Sequence, residues 1–168
     1  MLEKIKSLFG LEETRQQYIR PLKDQDIDDV IQIEQQVYNY PWSKGIFKDC
    51  LRVGYSNWAL IKDETFIGYA ILSVAVGEAH ILNICVDPAF KRQGLGRFFL
   101  NEVIAAAKSK NADCVFLEVR PSNVAAIELY KKMGFKKIGQ RKNYYPAADG
   151  KEDAMVYSLD IGSYEPEK

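Results

Sequence analysis

The 168 residues predict an α+β fold: a central sheet of about seven strands, mixed in direction but mostly antiparallel, with four helices packed on it. Three observations lead there. The runs at residues 57–62, 66–76 and 78–86 are joined only by Lys-Asp-Glu and by a turn at Gly77, joins so short that the strands must pair antiparallel. A helix-spaced segment over 94–108 separates the last of these from a strand at 114–119, which is length enough for a parallel crossover. The order along the chain is one strand, two helices, three strands, a helix, a strand, a helix and two strands.

Each element has a local cause. Residues 1–17 carry Leu2, Ile5, Leu8 and Phe9 at helical spacing, which suits a short amphipathic arm ahead of the domain. Tyr18-Ile-Arg-Pro-Leu reads as an edge strand because Pro21 is tolerated best there. Asp24 and Asp26 suit a helix cap and first turn, and Ile27, Val30, Ile31, Ile33 and Val37 form the apolar face that follows. Pro41-Trp42-Ser43 breaks this helix, and Ser43 can cap a second one to about Arg52. Asn123 starts the last helix, Gly134 can end it in a left-handed cap, and residues 135–141 and 153–160 supply two more strands. The domain is expected over 18–160, with 161–168 as a tail.

Composition excludes several classes. With 47% hydrophobic and 27% charged residues the chain is an ordinary globular protein, and no run approaches a membrane span. Lys plus Arg equals Asp plus Glu at 23 each, so net charge gives no reason to expect direct nucleic-acid binding. Cys50, Cys85 and Cys114 are odd in number and lack metal-ligand spacing, so they read as reduced, packed thiols, and no metal is expected. Residues 1–17 contain acids and no apolar core of signal-peptide length, so a cytoplasmic location is expected.

The chain is organised around residues 83–97, Asn-Ile-Cys-Val-Asp-Pro-Ala-Phe-Lys-Arg-Gln-Gly-Leu-Gly-Arg, which read as strand, turn and helix start. A helix N-terminus offers unpaired N–H groups and partial positive charge, and Gly94 and Gly96 let an anion approach the backbone. Lys91, Arg92 and Arg97 add charge around it. The spacing fits neither a nucleotide P-loop nor a dinucleotide fingerprint. Val-Asp-Pro followed by Arg-Gln-Gly-Leu-Gly resembles the acetyl-CoA pyrophosphate loop of the GCN5-related N-acetyltransferases, the GNAT family, with Lys91 where that family usually has Gln or Arg. The resemblance implies the GNAT fold, acetyl-CoA as cosubstrate, and contacts to it from Ile84, Cys85, Val86, Arg92, Gln93, Gly94, Leu95, Gly96 and Arg97.

Acetyl transfer to an amine needs a base for the amine and an acid for the departing thiolate. Glu118 stands inside Val-Phe-Leu-Glu-Val, a strand expected to be apolar on both faces, where burial would raise its pKa toward a base's working range; a solvent-facing strand end is the alternative. Tyr130 shares a helical stripe with Asn123 and Ile127, and its phenol can protonate a thiolate unless it is simply core. Leu-Glu-Val-Arg-Pro-Ser-Asn-Val-Ala-Ala-Ile-Glu-Leu-Tyr from Leu117 resembles the second half of the same family, which implies that Tyr130 is the acid and that Asn123 contacts the cofactor. His80 and Cys85 read as structural.

Tyr40-Pro-Trp-Ser and the segment Arg-Lys-Asn-Tyr-Tyr-Pro-Ala-Ala-Asp-Gly-Lys-Glu-Asp-Ala-Met from Arg141 resemble a bacterial branch of the family. That branch acetylates the N-terminal alanine of small-subunit ribosomal protein eighteen, so the implied partner is that protein's N-terminal peptide. From the residues alone, Tyr144 and Tyr145 on a hairpin loop can clamp a peptide, with Glu152 or Asp153 near its cationic terminus, or the loop is pinned by its own aromatics and charges. Trp42 is a groove residue or a packing anchor. The alternatives are a small-amine or polyamine acetyltransferase and a non-catalytic acetyl-CoA-binding module.

Overall fold

The computed structural model describes residues 16–165, so the predicted arm lies, up to residue 15, outside the described residues. One seven-stranded sheet runs in the order β1-β2-β3-β4-β5-β7-β6. Its strands are β1 Gln17–Pro21, β2 Ser56–Lys62, β3 Thr65–Ala75, β4 Glu78–Val86, β5 Cys114–Val119, β6 Lys136–Ala147 and β7 Gly150–Asp160. Neighbours pair antiparallel except β4 with β5, as the short joins and the helical crossover require. The helices are α1 Ile27–Val37, α2 Lys44–Arg52, α3 Leu95–Ser109 and α4 Val124–Lys132.

Strand alternation divides the core in two. Leu60, Ala70, Leu72, Ile81, Val115 and Leu117 meet Phe99, Leu100, Val103 and Ile104 of α3 on one face, where Tyr130 and Met133 close the α4 end. On the other, Ala59, Ile61, Tyr69, Ile71 and Cys85 meet Ile27, Val30 and Ile33 of α1 and Phe47 of α2. Ile31 is only partly buried, and Val37, expected on the same stripe, is 40% exposed at the C-terminal end of α1. The helices α1 and α2 cover β1 to β4 but stop there. Phe116 and Glu118 of β5 and Val156 of β7, which face the same side, belong to neither buried cluster.

Two irregularities shape the middle of the sheet. Ile71 pairs with Asn83 but Leu72 pairs with Ile81, so Leu82 is the extra residue of a β-bulge that bends β4. The parallel pairing of β4 with β5 then ends at Ile81↔Leu117, and the strands part beyond it.

The last hairpin is longer than expected. Tyr144 and Tyr145, expected on a loop, lie within β6, because the ladder absorbs an irregularity between Arg141 and Tyr145 and resumes at Tyr145↔Glu152. Asn143 takes φ +51 there, and its N–H donates to the Asp153 carboxylate at 2.9 Å. Packing also continues past residue 160: Ile161 is fully buried and its N–H donates to the Asp113 carbonyl at 2.9 Å, while Tyr164 packs on the core.

Candidate active site

A cavity of about 350 Å³ occupies the gap where β4 and β5 part. Its walls come from both sides of the sheet: Asn123, Ala126 and Tyr130 from the α4 side, and Glu34, Tyr38 and Trp42 from the α1–α2 side. Between them residues 81–84 of β4 face residues 117–120 at the end of β5. The edge of β4 that pairs with β5 up to Ile81 has no ladder partner beyond it, so its backbone N–H and C=O groups are available to an extended ligand.

Beside this gap, α3 begins with Gly94 at φ +72 and no side-chain cap. A Cβ on Gly94 would meet nothing within 4 Å, so the space over the first turn is open. Arg92 also takes a positive φ of 60°, and both Lys91 and Arg92 are exposed. Phe98 N–H reaches back to the Gly94 carbonyl at 3.0 Å and so closes the first turn of α3. Gln93 is tied to β2, its Oε1 accepting from Lys62 Nζ at 2.5 Å. Gly96 lies against Leu129 of α4, to which an added Cβ would come within 3.5 Å. Residues 92–97 flank the cavity rather than line it.

Of the predicted strand contacts, Ile84 lines the cavity, while Cys85 and Val86 do not. Cys85 turns toward α1, and burial pushes its thiol up to about 12, which suits packing and not a nucleophile. Asn123 is the N-cap of α4, its Oδ1 accepting from Ala126 N–H at 3.3 Å, and it lines the cavity as well.

Glu118 is not enclosed by apolar neighbours as expected. No described helix covers its face of β5, so its side chain keeps 25% of its exposure and pairs with Arg141 Nε at 2.9 Å. The carboxylate stands where this cavity meets a second one. Tyr130 is buried, and desolvation, with the nearby Cys85 thiol second, pushes its hydroxyl up to about 12.

Trp42 is both a packing residue and a cavity wall. Its ring packs on Phe47 at 5.4 Å between centroids, and it lines both cavities. Tyr145 also lines both, under the Arg120 guanidinium at 4.4 Å, while Tyr144 lines the second and stands edge-on to Tyr145 at 4.9 Å. The carboxylates of this hairpin already have partners: Glu152 accepts from Ser122 N–H at 2.9 Å and Arg120 at 3.2 Å, and Asp153 from Gln140 and Asn143, and neither lines either cavity.

Sequence reasoning missed Glu34, which is 1% exposed yet lines the cavity. It accepts from Trp42 N–H at 2.8 Å, from Asn83 Nδ2 at 3.1 Å and from the Tyr69 hydroxyl. Its spacing was the available signal, since positions 27, 30 and 34 form one helical stripe. Arg120 was missed too: it reaches Tyr145, the Pro146 carbonyl at 2.8 Å and, at 5.9 Å, the Tyr40 ring, joining the walls of the gap.

The chain has relatives among known proteins in both sequence and fold. A profile of the Acetyltransferase (GNAT) family matches residues 22–135. The [ribosomal protein bS18]-alanine N-acetyltransferase of Escherichia coli K12 is 39% identical over 143 residues, 85% of this chain and 97% of that protein. The Salmonella typhimurium protein of the same name is 41% identical over 140 residues, 83% of this chain and 95% of that one. The crystal structure of the ribosomal-protein-S18-alanine N-acetyltransferase from Escherichia coli superposes with a TM-score of 0.82 at 37% identity, covering 91% of this chain and 99% of that one. Among the described residues no helix is long and apolar enough to cross a membrane, and no group of three His, Cys, Asp or Glu is placed to hold a metal ion.

Proposed function

The chain belongs to the GNAT family of acetyl-CoA-dependent N-acetyltransferases, and from that premise we propose that it acetylates the α-amine of an N-terminal alanine, that of small-subunit ribosomal protein bS18. The substrate reading is supported by near full-length similarity to two enzymes of that name. The observation that carries the mechanism is the parting of β4 and β5 at Ile81↔Leu117, with Glu118 and Tyr130 lining the cavity it opens.

Acetyl-CoA approaches from the α3–α4 side. Its pyrophosphate rests on the open N-terminus of α3, with Arg92 and Arg97 beside it, and its pantetheine arm pairs with the vacant edge of β4 at Ile84 to Val86. Asn123 borders the same passage. The amine arrives from the α1–α2 side, between Trp42 and the Tyr144–Tyr145 segment. Glu118, oriented by Arg141, takes a proton from the amine directly or through a water. The amine nitrogen then bonds to the thioester carbonyl carbon, the carbon–sulfur bond breaks, the Tyr130 hydroxyl protonates the leaving sulfur, and the second proton shed by the nitrogen returns through water to the phenol. No acyl-enzyme forms, since Cys85 is a buried, protonated thiol. The choice of an α-amine eases the first step: with a pKa near 7.7 to 8.0, roughly a tenth is neutral at pH 7, against about one lysine side chain in 2,500. A ribosomal substrate and three free cysteines suit a cytoplasmic location.

The test is to incubate the protein with acetyl-CoA and either an alanine-initiated peptide or a panel of polyamines and amino sugars, following thiol release. Turnover of the peptide is expected. Turnover of the small amines alone points to a small-amine acetyltransferase, and binding without thiol release points to a non-catalytic module.

A further inference from the structure

Between the ladder pairs Arg141↔Ala154 and Tyr145↔Glu152, residues 142–144 of β6 stand opposite a single residue of β7, Asp153. The Asp153 side chain takes the place of the missing backbone partners. Its carboxylate accepts from Asn143 N–H at 2.9 Å and from Gln140 Nε2 at 2.5 Å, and Asn143 is held at φ +51, a conformation that asparagine tolerates better than most residues. These two bonds, that from Asn143 first, keep the Asp153 carboxyl below the usual carboxylate range, so it is ionised at neutral pH.

The bulge changes which way the side chains point. Consecutive residues of a regular strand face opposite sides of a sheet, yet Tyr144 and Tyr145 both line the second cavity, about 590 Å³, which meets the first at Glu118. Tyr144 is thereby brought to Glu118, and its hydrogen bond to that carboxylate raises the pKa of its hydroxyl. Arg141, at the other end of the bulge, lies 5.6 Å from the centroid of the Tyr144 ring and 2.9 Å from Glu118 through Nε. Its path is clear: across the sheet from Glu118 stand Val156 and then Gly139, and a Cβ on Gly139 would meet nothing within 4 Å. Both groups that bracket the Glu118 carboxylate thus come from the segment that Asp153 pins.

Resting on the reading of Glu118 as the general base, we propose that Asp153 is a positioning residue for acetyl transfer. From outside both cavities it sets the β6 bulge, and through Arg141 and Tyr144 it fixes the orientation of the Glu118 carboxylate. The Arg141 side chain is 60% exposed, and an ion pair so open keeps one geometry only if the backbone carrying it is held.

The test is steady-state acetylation of an alanine-initiated peptide by wild type, Asp153→Ala, Asp153→Asn, Glu118→Gln and the double variant Glu118→Gln/Asp153→Ala. Acetyl-CoA affinity is followed by calorimetry and folding by thermal melts. Asp153→Ala should lower kcat about tenfold, a part of the hundredfold or more that a general base supplies, with acetyl-CoA affinity unchanged. Asp153→Asn should recover most of the rate, because its amide oxygen still accepts from Asn143 and the Gln140 amide can turn to match. In the Glu118→Gln background the alanine change should lower kcat no further, since a residue that acts through the base has nothing left to orient. Full kcat in Asp153→Ala overturns the proposal, as does a rise in peptide KM alone or the same tenfold loss in both backgrounds. If Glu118→Gln itself keeps full activity, the base reading falls, and the role of Asp153 with it.

Discussion

Asn83 on β4 donates its side-chain amide to the Glu34 carboxylate on α1 at 3.1 Å, and the same carboxylate accepts the Trp42 backbone N–H at 2.8 Å. One buried side chain thus ties the α1–α2 loop to the bulged strand β4. Glu34→Ala strands three donors, those of Asn83, Trp42 and the Tyr69 hydroxyl, away from water. The expected loss is about 3 kcal/mol in urea unfolding, with Glu34→Gln losing clearly less. A loss below about 1 kcal/mol for the alanine variant means the network does not hold these elements together.

Gly94 sits at φ +72 with open space above it. Gly94→Ala should lose about 1 kcal/mol of stability to backbone strain and bind acetyl-CoA somewhat more weakly. Gly94→Glu places a carboxylate where the pyrophosphate belongs and should weaken binding sharply by calorimetry. Unchanged affinity in the glutamate variant rules out the anion site at this helix.

The two catalytic candidates separate by pH. Glu118→Gln should lower kcat roughly a hundredfold at neutral pH and recover part of that toward pH 9, as the α-amine sheds its proton unaided. Tyr130, its hydroxyl pushed up to about 12 by burial, stays protonated throughout, so the Tyr130→Phe defect should stay constant from pH 7 to 9. Full activity of Glu118→Gln across this range makes the carboxylate structural.

The same Tyr130 shift has a thermodynamic counterpart. The folded-state pKa lies above the unfolded value near 10, so the folded protein holds this proton more tightly. The stability this provides is complete below pH 10 and lost as pH climbs toward about 12. In melts over that window, Tyr130→Phe should flatten the decline; an unaltered slope would place the phenol in contact with water.

Arg120 lies over the Tyr145 ring, 4.4 Å from its centroid, while bonding Pro146 and Glu152 of the same hairpin. Arg120→Lys keeps the charge and loses the plane. The peptide KM should rise about fivefold, with the acetyl-CoA KM unchanged, since about 1 kcal/mol of stacking is removed from the acceptor side alone. Equal rises in both constants would assign Arg120 to the general fold.

What the sequence makes legible here is what depends on spacing within one element. The Ile27, Val30, Ile33 stripe, the short joins of β2, β3 and β4, and the glycines opening α3 all carry their cause locally. The surroundings of Glu118 stayed open between a buried and a solvent-facing strand position because they depend on which helices reach across β5, and α1 and α2 stop at β4. Glu34 was passed over because a carboxylate beside Ile33 looks like a solvated helix face, and its partners lie 8, 35 and 49 residues away. The tyrosine hairpin fell between the two: its aromatics were visible, but a bulge that keeps them within β6 is a property of the β6–β7 pairing.

The bulge at Leu82 leaves a sheet with a window in it, walled by α4 on one side and by the α1–α2 loop on the other. A window has two doors. With acetyl-CoA and the amine at opposite doors, as proposed, neither reactant needs to pass the other on the way in, and neither product obstructs the other on the way out. The order of arrival and departure is then governed by affinity and not by obstruction, and a change that tightens one door leaves traffic through the other untouched.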